Sequence, residues 1–177
     1  GTSWYNLGKE QYTAKKYSDA VSSFKESIKV CEATGDSKTA DAAKTYVAGI
    51  TYAIGNSYLK KDDYETALNK YDEALQYKPD YFKSYYGMGL VYKKQENFDK
   101  MEEAFAKVLE MAPEGDKTIG KVNSVGASTF FNAGAVALQS GKNQDAVKYL
   151  TTSLKYKEDA SAYYYIALAN NAMSKWS

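Results

Sequence analysis

The sequence predicts an all-α chain assembled from stacked helix pairs, and three observations carry that expectation. A spacing of 34 residues recurs, separating Pro79 from Pro113, Gly55 from Gly89 and Tyr58 from Tyr92. A period of this size marks a stacked helical repeat, not a mixture of helices and strands. Apolar residues return at helical spacing, as in Leu68, Tyr71 and Leu75 or Phe105, Val108 and Leu109. No β-hairpin signal, such as Asn-Gly between alternating apolar residues, interrupts them.

Composition narrows the function. The 177 residues and 19.7 kDa allow one domain or one short repeat array. At 44% hydrophobic and 25% charged, the chain has neither a disordered nor a membrane-spanning composition. All 23 cations are lysine, and histidine and arginine are both missing. Histidine acid–base chemistry, histidine metal ligation and arginine clamps on phosphate are thereby excluded. Cys31 is alone, so it forms no internal disulfide and no cysteine-rich zinc site. We therefore expect no catalytic residues, no metal and no cofactor. A net charge of +1 with interspersed signs argues against a nucleic-acid surface. No apolar run approaches the roughly 18 residues of a membrane helix, so membrane insertion is not expected. The chain opens at Gly1 without Met, which reads as a trimmed start. A soluble protein is expected, cytoplasmic or exported with its signal removed, with a lean to the latter.

Short polar turns punctuate the helical segments: Lys60-Lys61-Asp62-Asp63, Gln95-Glu96-Asn97 and Ser140-Gly141-Lys142-Asn143. Around them the residues fall into a pattern. Residues 1–34 carry Trp4, Leu7, Gly8, Ala20, Phe24 and Ile28. Residues 48–81 carry Ile54, Gly55, Tyr58, Tyr64, Ala67, Tyr71, Ala74, Leu75 and Pro79. Residues 82–115 carry Tyr85, Met88, Gly89, Tyr92, Phe98, Phe105, Leu109 and Pro113. Residues 127–159 carry Phe130, Ala133, Gly134, Ala146, Leu150 and Leu154. On these residues the chain resembles a tetratricopeptide repeat (TPR) protein. It departs from that pattern where Gln11 and Ala137 replace a tyrosine, Met101 an alanine, and Glu32 and Glu158 a proline.

The resemblance implies one array over 1–177, a right-handed superhelical solenoid of four antiparallel helix pairs with a terminal helix at 160–175. Two junctions carry extra residues, Lys38–Val47 and Lys117–Val125, without a strong breaker. They are expected to lengthen the first helices of units two and four, with Ser37 or Asp116 as N-cap, and loops are the plainer alternative.

Position eight of each unit is glycine: Gly8, Gly55, Gly89 and Gly134. Glycine inside a helix costs about 0.5–1 kcal/mol relative to alanine, so close approach of a neighbouring helix must offset it. Phe24, Tyr71 and Phe105 are expected to fill the adjoining volume.

The resemblance further implies a concave groove lined by the first helices. At its fifth position stand Tyr5, Tyr52, Tyr86, Phe131 and Tyr164, with Lys9, Tyr12, Asn56, Lys60, Lys83, Lys93 and Lys94 around them. The implied function is non-catalytic: an adaptor or scaffold that holds a peptide or protein segment in a tyrosine- and lysine-lined groove. Self-assembly and an aromatic-lined site for a small ligand such as a glycan are the alternatives, and surface tyrosines that merely coat the array are the plainer reading. The carboxylate clamp of chaperone-binding relatives fits neither register, because Ala53 and Gly87 fall where it needs polar groups.

Other signals fail. Tyr92 stands where a dinucleotide fingerprint begun by Gly87 and Gly89 needs its third glycine, and Asn143 replaces the Ser or Thr of a phosphate loop. Asp62-Asp63 and Glu102-Glu103 read as a turn and a solvated face, and Cys31 as a small core residue. At the C-terminal end, Ile166, Ala169 and Met173 can face the preceding unit, but Tyr164, Leu168 and Trp176 cannot all join them. This end is expected to meet a second copy of the chain, a partner, or the long helix Lys117–Gln139 folding back, and a homodimer through the C-terminal helix is the preferred version.

Overall fold

Helices occupy most of the chain in the computed structural model, which describes residues 1–174. In order they are α1 (Thr2–Thr13), α2 (Tyr17–Thr34), α3 (Ser37–Leu59), α4 (Tyr64–Tyr77), α5 (Phe82–Lys94), α6 (Phe98–Met111), α7 (Lys117–Gln139), α8 (Asn143–Tyr156) and α9 (Ala160–Ser174). Both α3 and α7 are 23 residues long, the longest of the set. The chain divides into two compact bodies, Gly1–Val91 and Tyr92–Ser177, with the boundary inside α5.

In the N-terminal body α1 packs on α2, α2 on α3, and α3 on α4. Its core gathers Ala20, Phe24 and Ile28 of α2 with Ala43, Val47 and Ile50 of α3. Tyr71 of α4 is completely buried as well. The glycines sit where helices meet aromatic rings. A Cβ built on Gly8 would lie 2.8 Å from the Phe24 ring, and one on Gly55 would lie 2.6 Å from the Tyr71 ring. Neither distance is tolerated, so these positions exclude any side chain.

The C-terminal body packs α6 on α7, α7 on α8 and α8 on α9. One cluster joins Ala137, Ala146, Leu150, Ala162 and Ala169. Here Gly134 abuts Leu150, with a built Cβ 2.6 Å away, and Gly126 abuts the ring of Tyr156 at the same distance. Phe130 stacks on Tyr156 with ring centroids 5.8 Å apart.

One turn geometry closes every helix pair. The chain passes through a left-handed residue at Lys15, Asp62, Glu96 and Gly141. The next amide then reaches back five residues: Lys16 to Gln11, Asp63 to Tyr58, Asn97 to Tyr92 and Lys142 to Ala137, at 2.8–3.1 Å. This Schellman arrangement satisfies a carbonyl that the ended helix would otherwise orphan. Only Gly141 takes the left-handed conformation without a side-chain penalty. The residue donating that amide is also the N-cap of the second helix. Asp63 and Asn97 cap α4 and α6 with side-chain bonds to Thr66 and Lys100, whereas Lys16 and Lys142 make no such bond.

The long helices start one residue apart from expectation at one end only. Asp36, not Ser37, is the N-cap of α3, accepting from the Thr39 amide at 3.1 Å. That bond holds the Asp36 carboxyl below the usual carboxylate range. Its carboxylate accepts directly, whereas Ser37 already has helical geometry. Asp116 caps α7 through Thr118.

In α9, Ala162 and Ala169 are buried, and Tyr165 and Ile166 pack partly against the α7–α8 cluster. Tyr163, Tyr164 and Leu168 face outward, 53%, 61% and 39% exposed. Trp176 and Lys175 lie outside the described residues.

Candidate functional site

The tyrosine side chains of the N-terminal body form a connected surface. Tyr46 stacks on the buried Phe24 with centroids 4.6 Å apart and planes 11° apart. Tyr5 meets its edge at 6.0 Å and Tyr12 at 5.4 Å. Farther along, Tyr52 of α3 lies 5.8 Å from Tyr71 beneath it and 5.8 Å from Tyr81, which precedes α5. Burial pushes the Tyr81 phenol up, with smaller contributions from Tyr52 and Tyr12, and burial then Tyr52 does the same to Tyr86. Ring contacts thus link α1 to α3 at Tyr46, and α3 to Tyr81 before α5 at Tyr52.

Lysines and side-chain amides lie around these rings. Lys9 sits over the Tyr5 ring at 5.7 Å. Lys60 and Lys83 are exposed, and among the described residues no ion pair engages either. Asn56, expected among the groove residues, accepts the Tyr71 hydroxyl on its Oδ1 at 2.8 Å. Gln11 is similar, its Oε1 accepting from Ser23 Oγ at 2.7 Å.

Eight of the sequence-derived residues therefore belong to this body: Tyr5, Lys9, Tyr12, Tyr52, Asn56, Lys60, Lys83 and Tyr86. The remaining four lie in the other body. There Phe131 packs on Tyr165 at 5.6 Å and borders a cavity of about 600 Å³ with Asn123, Asn132, Lys157 and Asp159. Lys93 borders a cleft of about 480 Å³ with Phe98, Val136 and Tyr149. Lys94 and Tyr164 are exposed.

Sequence reasoning missed Tyr46 and Tyr81. Tyr46 lies in the part of α3 that precedes the 34-residue unit, and Tyr81 in the turn before α5, so positional carry-over passes over both. The available signal was Gly49, an otherwise costly helical glycine whose built Cβ would lie 3.5 Å from the Tyr81 hydroxyl.

Comparison with known proteins settles the family. A TPR repeat model matches residues 55–96, and tetratricopeptide repeat models match 1–34, 82–114 and 131–172, together most of the chain. The chain belongs to the tetratricopeptide repeat family. TPR arrays are protein–protein interaction modules whose members are typically non-catalytic. A curated relative, the uncharacterized protein ycf37 of Guillardia theta, is 26% identical over 123 residues, 70% of this chain and 65% of its own length. The general transcriptional corepressor trfA of Dictyostelium discoideum is 35% identical over 68 residues, 37% of this chain and 5% of the relative. The chain thus spans just under two thirds of the first and a small part of the second. Among solved structures, MamA AMB-1 is 18% identical with a TM-score of 0.45, covering 98% of this chain and 82% of that one. YrrB, described as a TPR protein with an unusual peptide-binding site, is 15% identical with a TM-score of 0.41, covering 97% and 90%. Among the described residues, no helix of this TPR chain is long and apolar enough to cross a membrane.

Proposed function

We propose that this TPR protein holds an extended segment of another protein against the tyrosine face formed by α1, α3 and the start of α5. The observation that carries the reading is two sets of ring contacts, Tyr5 and Tyr12 with Tyr46 and Tyr52 with Tyr81, bordered by Lys9, Lys60 and Lys83, which among the described residues make no ion pair. Half-buried rings offer apolar area at about 25 cal/mol per Å², and their own packing means little side-chain entropy is lost on binding. The lysines add attraction for acidic residues at the edges of the ligand. Selection from a displayed library of random dodecapeptides tests the reading. Selected peptides should bind the wild-type chain and lose binding to the Tyr52→Ala/Tyr86→Ala double variant. Equal binding to both would contradict it.

A second reading concerns α9. Its outward Tyr163, Tyr164 and Leu168 belong to a helix with no charged residue between Ala160 and Ser174. An isologous contact sets each residue near its own copy or a symmetry-related neighbour, so a charge-free helix meets no like-charge repulsion there. Self-association through α9 is the reading this favours, and light scattering over a concentration series tests it.

A further inference from the structure

We infer that the cleft of about 480 Å³ lined by Phe98, α7 and the start of α8 binds a neutral sugar, an uncharged ring that carries several hydroxyls. All its lining residues belong to the C-terminal body, so this site stands or falls apart from the peptide reading above. Its volume is that of a small-molecule site, for which about 300–1,000 Å³ is usual.

A buried hydroxyl without a partner marks the cleft. Thr129 of α7 lines it and is 8% exposed, and its Oγ1 makes no hydrogen bond among the described residues. Thr13, Thr34, Thr45 and Thr152 each return their hydroxyl to the carbonyl four residues back, at 2.9–3.0 Å. Thr129 does not, and a buried hydroxyl left unmet is destabilising. Threonine has two favoured χ1 wells in a helix, so a rotamer change presents this hydroxyl to a ligand.

Charge selects against an ion. One bank of the cleft carries Lys93 and Glu96, the other Lys142 and Asp145, all four exposed. Among the described residues none of them makes an ion pair. An anion drawn to either lysine meets a carboxylate beside it, and a cation drawn to either carboxylate meets an ammonium. A hydroxyl escapes the conflict. It accepts from the ammonium, donates to the carboxylate, and does either toward the Asn132 amide, which also lines the cleft.

The rest of the lining is apolar. Phe98 and Tyr149 meet edge to face, with centroids 5.5 Å apart and planes at 81°, and Val136 is 61% exposed beside them. A sugar ring answers both chemistries, because its C–H face covers the rings and its hydroxyls reach the polar groups. A purely apolar molecule leaves Thr129 and both banks unanswered. An amino acid carries its two charges on one carbon, so it engages one bank and leaves the other.

Glucose, galactose and N-acetylglucosamine are the probes, with leucine as the zwitterionic control, followed by methyl and ring resonances in NMR titrations of the full chain. At least one sugar should give saturable shifts at Thr129, Val136 and Tyr149, and leucine none. Thr129→Val keeps the shape of the side chain and removes the hydroxyl. It should weaken the bound sugar about tenfold without lowering the melting temperature. A lowered melting temperature would show that the hydroxyl is already satisfied within the fold, against the inference. Equal sugar binding in the valine variant, or no saturable shift with any of the three sugars, would overturn it. Leucine shifting the same residues would overturn the charge argument and make the site one for amino acids.

Discussion

Tyr71 donates its hydroxyl to Asn56 Oδ1 at 2.8 Å, across the crossing that Gly55, the preceding residue, makes possible. One aromatic side chain thus does two jobs. Its ring fills the space left by a missing side chain on α3, and its polar tip finds an acceptor one residue along the same helix. The ring is fully buried, so an unmet hydroxyl there would be destabilising.

Gly55→Leu should therefore be poorly tolerated. A Cβ alone would lie 2.6 Å from the Tyr71 ring, and the added branches would force α3 and α4 apart. A loss of about 1–3 kcal/mol is expected from overpacking, read as a lower urea midpoint at unchanged slope. An unchanged midpoint would show that this crossing is looser than described. Tyr71→Phe should cost about 1 kcal/mol by comparison, because only the hydroxyl bond is lost.

The crossing was legible in the sequence because Gly55 and Tyr71 both recur in a fixed register, and so was the all-α class. The crossings at Gly87 and Gly126 were not. Gly87 also abuts the Tyr71 ring, from α5, so one tyrosine separates two helices, and no 34-residue echo announces it. Gly126 precedes the fourth unit and packs on Tyr156, where the motif specifies nothing. The candidate face was legible in its position-five rings. Which end of Asn56 and Gln11 is taken up internally was not, because sequence spacing does not encode it.

The helix-pair turns supply a stabilising change. The N-cap backbone of Lys142, φ −82° and ψ 67°, nearly matches that of Asn97, φ −87° and ψ 78°, yet only Asn97 makes a cap bond. Lys142→Asn should place an acceptor on the first-turn amides of α8 and add about 1 kcal/mol. A rise of about 2–4 °C in Tm is expected. No rise would mean that the first turn of α8 already satisfies its amides through water.

Alkaline pH should weaken the fold. Burial pushes the Tyr156 phenol up to about 12, with Glu102 adding to the shift, and raises Tyr71, Tyr81 and Tyr86 as well. Because these folded-state values exceed the unfolded one, the stabilisation is complete below about pH 10. It is lost as pH rises through the folded values. Urea midpoints should be flat from about pH 8 to 9.5 and fall above pH 10. A midpoint that holds steady to pH 11.5 would contradict the burial of these phenols.

Association through α9 should depend on its outward face. Leu168→Glu puts a charge in the middle of a helix that has none, and a symmetric contact would bring two such charges together. Wild-type mass by light scattering should rise with concentration toward a dimer, and the variant should stay monomeric. A wild-type chain that remains monomeric at high micromolar concentration would rule the contact out.

In the proposed function a partner peptide lies on the tyrosines of α1, α3 and the start of α5. Chemical-shift mapping with a library-selected dodecapeptide tests it most directly. Perturbations should concentrate at Tyr5, Tyr12, Tyr52 and Tyr86 and spare the Lys25–Glu73 ion pair that links α2 to α4. Shifts gathered around that ion pair, with the four tyrosines unmoved, would contradict the account.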